Sequence, residues 1–306
     1  MRIIFMGTPD FAVGCLETLF NDQHEIAAVF TQPDKPQGRK MVITPPPVKV
    51  KALELGLQVF QPKTIKDESV QKVISDINPD LIVVVAYGKI LPQSVLDIPK
   101  YGCINVHASL LPLHRGASPI QWSIVCGDSH TGVCTMQMDA GMDTGDILLC
   151  EKTEISNDET AGQLWDRLAV MGAKLIKKTV DNLGNITPTK QDDSLATYAP
   201  IITKEMALIN FNEQTAEQIH NLVRGFNPKP TAYFMLDTKR VKVFTTKVLG
   251  KTNLPPSVVV SNNEGLVISC KDGVAIKLGS VQPEGSKIMD SADMLRGKKI
   301  DVGTKI

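Results

Sequence analysis

The residues best suited to chemistry stand in the segment Asn105-Val106-His107 and its continuation to Gly116. The apolar run at 103–107 predicts a strand that ends at His107, and residues two apart on a strand point to the same face. Asn105 and His107 would therefore present a carboxamide and an imidazole side by side. In a parallel sheet, ligands and catalytic groups collect at the carboxyl ends of the strands. The alternative is that these residues only close a strand and begin a turn.

A second group of functional residues occupies the segment 139–146, Asp-Ala-Gly-Met-Asp-Thr-Gly-Asp, after a predicted strand at 133–138. This composition predicts a tight acidic loop, for which a simple turn or a cation site is the alternative interpretation. The spacing does not match a calcium-binding loop, because no glutamate follows at the required position. Together with Asn105 and His107, a carboxylate from this loop would complete a set of groups suited to carbonyl chemistry. These groups are an oxyanion stabiliser, a proton-transfer partner and a carboxylate that holds the imidazole charged.

The elements that must position these residues alternate between apolar strands and helical patterns. Strands are predicted at 2–6, 26–30, 81–86 and 103–107, and helices at 11–20, 48–55 and 68–77. This βαβ order predicts an α/β fold with a doubly wound, mostly parallel sheet of the Rossmann type. Gly7-Thr8-Pro9 follows the first strand. Because Pro9 has no N–H to offer a pyrophosphate, binding of a nucleotide cofactor is not expected.

The pattern changes after a long helix predicted at 158–183. We divide the chain into a catalytic domain at 1–189, a linker at 190–207 and a C-terminal domain at 208–306. In the last domain a short helix at 215–224 precedes several short strands, with hairpin turns at 262–265 and 272–273. Such a succession of short strands predicts a small, OB-like β-barrel.

The composition of the 306-residue chain is that of a globular protein without net formal charge, but its two parts differ. Residues 1–203 carry 18 basic and 23 acidic side chains, whereas residues 204–306 carry 15 and 10. A basic C-terminal part suggests a polyanionic partner such as nucleic acid, and a chance excess on a solvated surface is an equal alternative.

The six cysteines form no C-x-x-C pair, so neither a disulfide framework nor a zinc site is expected and a reducing cytoplasm fits best. The first apolar run is too short to span a membrane.

Several separated motifs resemble one family. Asn-x-His at 105–107, Ser-Leu-Leu-Pro at 109–112, Arg-Gly at 115–116 and Met-Asp-x-Gly-x-Asp-Thr-Gly at 138–145 are similar to the formyltransferases that use 10-formyltetrahydrofolate. The segment at 5–11, the insertion at 31–40 and Arg-Gly-Phe-Asn-Pro at 224–228 are similar to the branch of that family that formylates methionyl-tRNA. The likeness covers essentially the whole chain.

The resemblance implies a role for each motif. It assigns Asn105, His107 and Asp143 as the catalytic residues, and it places folate binding at Ser109, Leu110, Leu111 and Pro112. The co-substrate would be 10-formyltetrahydrofolate, with tetrahydrofolate as the product and no metal. The acceptor would be the free amino group of initiator methionyl-tRNA. We expect a monomeric, cytoplasmic enzyme without a membrane partner.

The insertion at 31–51 is rich in basic residues, and by the resemblance Lys35, Arg39 and Lys40 contact the acceptor arm of the tRNA. A loop of this length without regular structure is more often functional than not, although a solvated excursion is the alternative. Basic residues at 239–251 suggest a second face that contacts phosphates, for which a solvated strand is nearly as good an interpretation.

Three residues depart from the family pattern. Ala108 stands where glycine is commoner, Asn210 where aspartate is usual and Phe211 where tryptophan is usual.

The mechanism that the resemblance implies is direct attack of the α-amine on the formyl carbon, with either Asp143 or His107 as the base. Two other functions stay open: a folate-dependent enzyme that acts on a nucleotide-sugar amine or hydrolyses formylfolate, and a tRNA-binding protein without activity. The basic regions and the complete catalytic trio favour the tRNA formyltransferase.

Overall fold

A computed structural model describes residues 1–22, 24–38 and 41–306 of the chain. These residues divide into two compact units. The first contains Met1–Pro119, Thr131–Thr153 and Trp165–Ala199, and the second contains Ile120–His130, Glu154–Leu164 and Pro200–Ile306. The domain boundaries expected at 189 and 207 remain predictions.

A mostly parallel sheet is the centre of the first unit. The strands of this unit are β1 (Arg2–Gly7), β2 (Glu25–Phe30), β3 (Lys35–Gln37), β4 (Val42–Thr44), β5 (Val59–Phe60), β6 (Leu81–Val85), β7 (Cys103–His107), β8 (Arg115–Gly116), β9 (His130–Gln137), β10 (Ile147–Glu154) and β11 (Tyr198–Ala199). Seven of these, within the described residues, form one sheet in the order β10-β9-β7-β6-β1-β2-β5. The neighbours from β7 to β5 pair in parallel, and β9 pairs antiparallel with β7. The predicted α/β class and the four predicted strands are confirmed.

Helices connect these strands along the chain. They are α1 (Val13–Asn21), α2 (Pro47–Glu54), α3 (Glu68–Ile77), α4 (Gln93–Leu96), α5 (Pro119–Val125) and α6 (Ala161–Asp181). The helix predicted at 68–77 coincides with α3, because Val70, Ile74 and Ile77 recur at helical spacing and pack on the core of the sheet. A left-handed residue, Asn78 at φ 51°, ends that helix. No helix in the described part of the chain is both long enough and apolar enough to cross a membrane.

The centre of the sheet is almost completely buried. All five residues of β6 are buried, which agrees with the β-branched run that predicted a strand covered on both faces. Phe30 at the end of β2 stacks on Phe60 of β5, with the ring centroids 4.9 Å apart. Such close packing fixes the strand ends in place, and the ends carry the candidate functional residues.

Two short pairings lie outside the main sheet and were not predicted. β3 and β4 form a hairpin in the insertion, so the expectation of a loop without regular structure was wrong. Gly38, at φ 68°, supplies the left-handed backbone that follows β3. In the predicted linker, β11 pairs in parallel with β8. Neither pairing has a local signal in the sequence, because two-residue and three-residue strands are too short to show a period.

The structure contains one disulfide that the cysteine spacing, which indicated no disulfide framework, did not predict. A disulfide joins Cys134 of β9 to Cys150 of β10, two strands that are neighbours in the sheet. The two residues are 16 positions apart, and their proximity follows from strand register rather than from a short cysteine motif. The remaining cysteines are free, and of these only Cys126 is exposed. Burial raises the pKa of the Cys15 and Cys103 thiols to about 12.

The second unit is built mainly from antiparallel strands. These are β12 (Tyr233–Leu236), β13 (Lys239–Val243), β14 (Thr246–Lys251), β15 (Val259–Ser261), β16 (Val267–Ser269), β17 (Val274–Leu278), β18 (Ser280–Pro283) and β19 (Met289–Asp290), with helices α7 (Ala216–Gly225) and α8 (Ser291–Gly297). They form two four-stranded sheets, β12-β13-β18-β19 and β14-β17-β16-β15, which share one apolar core. Thr215 and Gln218 form a capping box at the start of α7.

The two departures in this unit lie in its structural framework. Phe211 is 3 % exposed and packs edge-on against Phe234, with the ring centroids 5.7 Å apart. The carboxamide oxygen of Asn210 accepts a hydrogen bond from the backbone N–H of Asn212. An aspartate would accept the same bond, and a tryptophan would be a larger core residue. Both substitutions therefore act first on local packing and turn geometry.

The pairing of the cysteines predicts how many thiols react with a thiol reagent. The denatured chain, purified without reductant, should react with four equivalents of a thiol reagent and with six after reduction. In the native chain, Cys126 should react well before the buried thiols, since reaction requires an accessible thiolate. Mass spectrometry of the alkylated chain checks both counts, with Cys126→Ser as the control. Six reactive thiols in the unreduced, denatured chain would contradict the disulfide.

Candidate active site

Asn105 and His107 lie together at the carboxyl end of β7, as the sequence predicts. In the sheet, Asn105 is opposite Met136 and His107 is opposite Cys134, both on β9. The strand places both side chains on one face because they are two residues apart. His107 is only 5 % exposed. The scaffold therefore holds a nearly water-free imidazole beside a carboxamide at the edge where parallel strands end.

The two nitrogens of the His107 ring have different surroundings. Nε2 lies 3.0 Å from the backbone oxygen of His114, and because a carbonyl only accepts, Nε2 carries the proton of that bond. Nδ1 lies 3.7 Å from Oδ2 of Asp143, which is too long for a hydrogen bond but is within ion-pair distance. When Nδ1 carries a proton as well as Nε2, the imidazole is positively charged and its contact with the Asp143 carboxylate is attractive. Nδ1 is thus the nitrogen left for proton transfer or for binding a developing negative charge.

Asp143 reaches the imidazole from a loop that holds it in an uncommon conformation. Its φ is 57°, in the left-handed region, which is uncommon for residues other than glycine and in which asparagine, aspartate and histidine are enriched. Its Oδ2 accepts a hydrogen bond from the backbone N–H of Gly116 at 2.8 Å, and its Oδ1 lies 3.4 Å from the carboxamide nitrogen of Asn105. The carboxylate, the imidazole and the carboxamide therefore converge, as the sequence predicts.

The other residues of the acidic loop shape its backbone. Asp139 accepts hydrogen bonds through Oδ1 from the backbone of Gly141 and from the hydroxyl of Thr144. A Cβ atom at Gly145 would overlap the backbone oxygen of Gln137, so only glycine allows the two chains to approach so closely. The acidic loop is therefore a tight turn, which was one interpretation of its sequence, and it also supports the Asp143 carboxylate in the site.

A close group of possible metal ligands lies elsewhere in the first unit. Asp22, His24 and Asp181 have ligand atoms within 4.8 Å of one another, and it is the one such group of three among the described residues. The ammonium of Lys177 already bridges the carboxylates of Asp22 and Asp181. It holds the pKa of Asp22 below its ordinary value. This cluster is therefore an ion-pair network in the structure, and the absence of a metal cofactor stays a prediction.

The segment expected to line the folate site follows β7 as a compact turn. Ser109 is fully buried, and its hydroxyl donates to the backbone oxygen of Leu113 at 2.5 Å. Leu111 packs against Cys134 and Met136, whereas Leu110 and Pro112 are half-buried. Two of the four residues thus hold the turn and the other two are more accessible. Ala108, the departure from glycine, is 7 % exposed.

Sequence analysis missed a supporting segment at 191–199, which we name the strap. The backbone of Thr197 accepts from Arg115 at 2.8 Å, and its hydroxyl accepts from the backbone N–H of His114, also at 2.8 Å. Gln191 donates to the backbone oxygens of Asp143 and Gly145. The strap was interpreted as a linker because its contacts join residues 46 to 83 positions apart, which a local pattern does not reveal.

Three residues of the basic insertion are predicted to contact tRNA, and one of them lies on a described strand. Lys35 is exposed on β3, whereas Arg39 and Lys40 lie outside the described residues. At the base of the hairpin, Lys49 forms an ion pair with Asp34 at 2.8 Å. A hydrogen bond from Gln61 and the Lys49 ammonium hold the pKa of Asp34 below its ordinary value. Lys49 is therefore engaged in supporting the insertion.

Comparison with known proteins identifies the class. The family model described as Formyl transferase matches residues 1–180, and the model of the Formyl transferase C-terminal domain matches residues 201–299. Together they cover most of the chain, and the chain belongs to the formyl transferase family.

Individual relatives are similar along their whole length. A protein of Ruminiclostridium cellulolyticum named methionyl-tRNA formyltransferase is 46% identical over 312 residues, covering 100% of this chain and 99% of the relative. One of the same name from Geotalea uraniireducens is 47% identical over 306 residues, covering 99% and 97%. The fold resembles a solved N-formyltransferase from Helicobacter canadensis in complex with folinic acid and dTDP-3-aminofucose, with a TM-score of 0.65 and 20% identity. That match covers 91% of this chain and 98% of the other.

Gly116 offers a test of the packing around the site. Its φ is 120°, and a Cβ there would lie 2.8 Å from the backbone oxygen of Ala199. Gly116→Ala should therefore lower the free energy of unfolding by about 1–3 kcal/mol, from backbone strain and displacement of the strap. Urea unfolding monitored by circular dichroism measures the change.

Gly14→Ala is the matched control for this substitution. Gly14 lies in α1 without a left-handed φ, and a Cβ there meets the Ala173 Cβ at an ordinary 3.6 Å. This variant should be unchanged or more stable by up to about 1 kcal/mol, because alanine favours a helix. Equal unfolding midpoints for Gly116→Ala and the wild type would contradict the described approach of the strap.

Proposed function

We propose that this chain transfers the formyl group of 10-formyltetrahydrofolate to the free α-amine of initiator methionyl-tRNA. The products are N-formylmethionyl-tRNA, which serves translation initiation, and tetrahydrofolate. The observation that carries the proposal is the convergence of Asn105, His107 and Asp143 at the end of β7. The full-length similarity to relatives named methionyl-tRNA formyltransferase supports methionyl-tRNA as the acceptor.

The three side chains supply complementary functions for attack of an amine on a formyl carbon. Negative charge develops on the formyl oxygen, and donors aimed at that oxygen lower the barrier. The carboxamide of Asn105 has a second N–H beyond the one directed at Asp143, and protonated Nδ1 of His107 is a charged donor. Both act in a site where the imidazole is nearly excluded from water, which strengthens each electrostatic interaction.

Asp143 has two tasks in this mechanism. Its carboxylate keeps the imidazole in the charged form, and it accepts the proton that the amine loses when the new C–N bond forms, directly or through a water molecule. The bond from the formyl carbon to the folate nitrogen then breaks, and a proton is returned to that nitrogen. Because Nε2 of His107 is bonded to the His114 carbonyl, this proton passes on the Nδ1 side, where Asp143 lies.

The folate would bind beside the turn that follows β7. Ser109 and Leu111 give the turn its shape, and the more accessible Leu110 and Pro112 offer an apolar edge for the co-substrate. Because that turn is continuous with His107, a bound folate is placed close to the donors. This assignment follows from the family resemblance together with the position of the turn.

The tRNA would be held by exposed basic residues of both units. Lys35 on the exposed hairpin and the neighbouring Arg39 and Lys40 are assigned to the acceptor arm. In the second unit, Lys239, Arg240, Lys247 and Lys251 lie exposed on β13 and β14. The guanidinium of Arg240 stacks 4.1 Å from the ring of Tyr233, a planar arrangement that also suits nucleic-acid bases. The enzyme is proposed to act as a monomer in the cytoplasm, where thiols are kept reduced, so the Cys134–Cys150 bond would form only under oxidising conditions.

Removal of either catalytic group tests the site. Asp143→Ala and His107→Ala should each lower the single-turnover rate of formyl transfer by at least about 10²-fold, the usual contribution of such groups. The double variant should lose less than the product of the two effects, since both groups act on one transition state. Folate affinity, measured by fluorescence titration, should survive in all three variants. Single-turnover rates near the wild-type value in either single variant would refute the assignment.

Neutralising the insertion tests the tRNA contacts. Lys35→Ala, Arg39→Ala and Lys40→Ala combined should lower kcat/KM for charged tRNA and leave the KM for 10-formyltetrahydrofolate unchanged. The salt dependence of tRNA binding should flatten by about 0.7–0.9 slope units for each lost phosphate contact. Arg39→Lys alone should recover only part of the loss of Arg39→Ala, because lysine cannot make the bidentate contacts of a guanidinium.

A charge-matched control separates recognition from general electrostatics. Lys63, Lys66 and Lys72 are exposed lysines of the same unit, and their combined alanine variant removes the same charge. An equal fall in kcat/KM and in salt slope for both triple variants would show that the insertion has no specific role.

A further inference from the structure

Gln191 uses its whole hydrogen-bonding capacity around the loop that carries Asp143. Its carboxamide nitrogen donates to the backbone oxygen of Asp143 at 2.8 Å and to that of Gly145 at 2.7 Å. Its oxygen accepts from Nε and Nη2 of Arg115 at 3.0 and 2.9 Å. A primary carboxamide has two N–H donors and one oxygen with two lone pairs, so every donor and acceptor is engaged.

Arg115 fixes the direction in which this carboxamide faces. The Arg115 side chain is 2 % exposed and also forms an ion pair with Asp193 at 2.7 Å. A guanidinium only donates, so it binds the oxygen of Gln191 and turns the nitrogen toward the two carbonyl groups. The reversed carboxamide would bring N–H against N–H on one side and oxygen against oxygen on the other. The orientation of the Gln191 carboxamide is therefore fixed by its hydrogen-bond partners.

The neighbours of Asp143 help to hold its backbone conformation. At φ 57° this backbone is in the left-handed region, which aspartate adopts more readily than most residues but which still costs energy in any residue other than glycine. Gly116, next to Arg115, binds its side chain, and Gln191 binds its backbone oxygen. The two residues of β8, Arg115 and Gly116, thus hold both the backbone and the side chain of Asp143, Arg115 acting through Gln191.

We infer that Gln191 is a positioning residue for the reaction: it holds the Asp143 backbone so that the carboxylate faces Nδ1 of His107. This inference rests on the proposed function, in which Asp143 acts on the amine. Gln191 touches neither substrate and acts through Asp143 alone, with Arg115 orienting it. The strap that contains it therefore belongs functionally with the catalytic residues.

Two substitutions at Gln191 separate its donors from its acceptor. Gln191→Glu keeps an oxygen for Arg115 but loses both N–H donors and sets a carboxylate against two carbonyl oxygens. Gln191→Leu removes both functions at similar volume. Gln93→Leu is the control, since Gln93 is an exposed glutamine of the same unit whose carboxamide bonds only to Asp97 among the described contacts.

The measurements are the single-turnover rate of formyl transfer and its steady-state kcat and KM, in two backgrounds, wild type and Asp143→Ala. In the wild-type background both Gln191 variants should lose about 10–100-fold in kcat, with KM for both substrates within about twofold. In the Asp143→Ala background the same substitutions should change the rate by less than about twofold, because the residue through which Gln191 acts is gone. Gln93→Leu should match the wild type.

Each other outcome has a defined meaning. If the Gln191 variants lose the same factor in both backgrounds, or lose folate binding together with the rate, the residue is structural and the inference is overturned. Wild-type kcat in Gln191→Glu also overturns it. If instead Asp143→Ala keeps the wild-type rate, the proposed function of Asp143 fails first, and this result is distinct from a failure at Gln191.

Discussion

The carboxylate of Asp143 faces the His107 imidazole from a left-handed backbone conformation, which is uncommon outside glycine although aspartate is among the residues that adopt it most readily. Its φ of 57° is maintained by a hydrogen bond from Gly116 to the side chain and one from Gln191 to the backbone. The partner is equally constrained, since His107 is held through Nε2 by the His114 carbonyl. The contacts around the candidate active site therefore all help to keep the Asp143 carboxylate aligned with the His107 imidazole.

Three segments that are distant in sequence meet to satisfy that need. β7 supplies the imidazole, the loop after β9 supplies the carboxylate, and the strap at 191–199 supports both. Close approaches at Gly116 and Gly145 leave no room for a Cβ atom. A site assembled in this way is pre-organised before substrates bind, which is how fixed donors and acceptors lower a reaction barrier.

Most of the fold could be predicted from the sequence, and so could the convergence of Asn105 and His107 with a carboxylate of the acidic loop, among whose residues the family resemblance singled out Asp143. The β-branched run of β6 and the helical spacing of α3 are strong local signals, and Asn105 and His107 share a face because of strand geometry. Gln191 and the Cys134–Cys150 disulfide could not be predicted, because both depend on which chain segments become neighbours. The hairpin in the insertion was missed for a different reason, since three-residue strands show no period.

Selection of the acceptor is separate from the chemistry, because Asn105, His107 and Asp143 in their proposed roles would serve any amine delivered to them. The most direct measurement therefore offers the enzyme labelled 10-formyltetrahydrofolate with charged initiator methionyl-tRNA, the uncharged tRNA and a dTDP-linked amino sugar in one competition. Our account predicts that the label appears on the α-amine of methionyl-tRNA, that the other two acceptors stay unlabelled, and that this transfer is lost in Asp143→Ala. Label on the amino sugar, or release of formate without transfer to the charged tRNA, would contradict it.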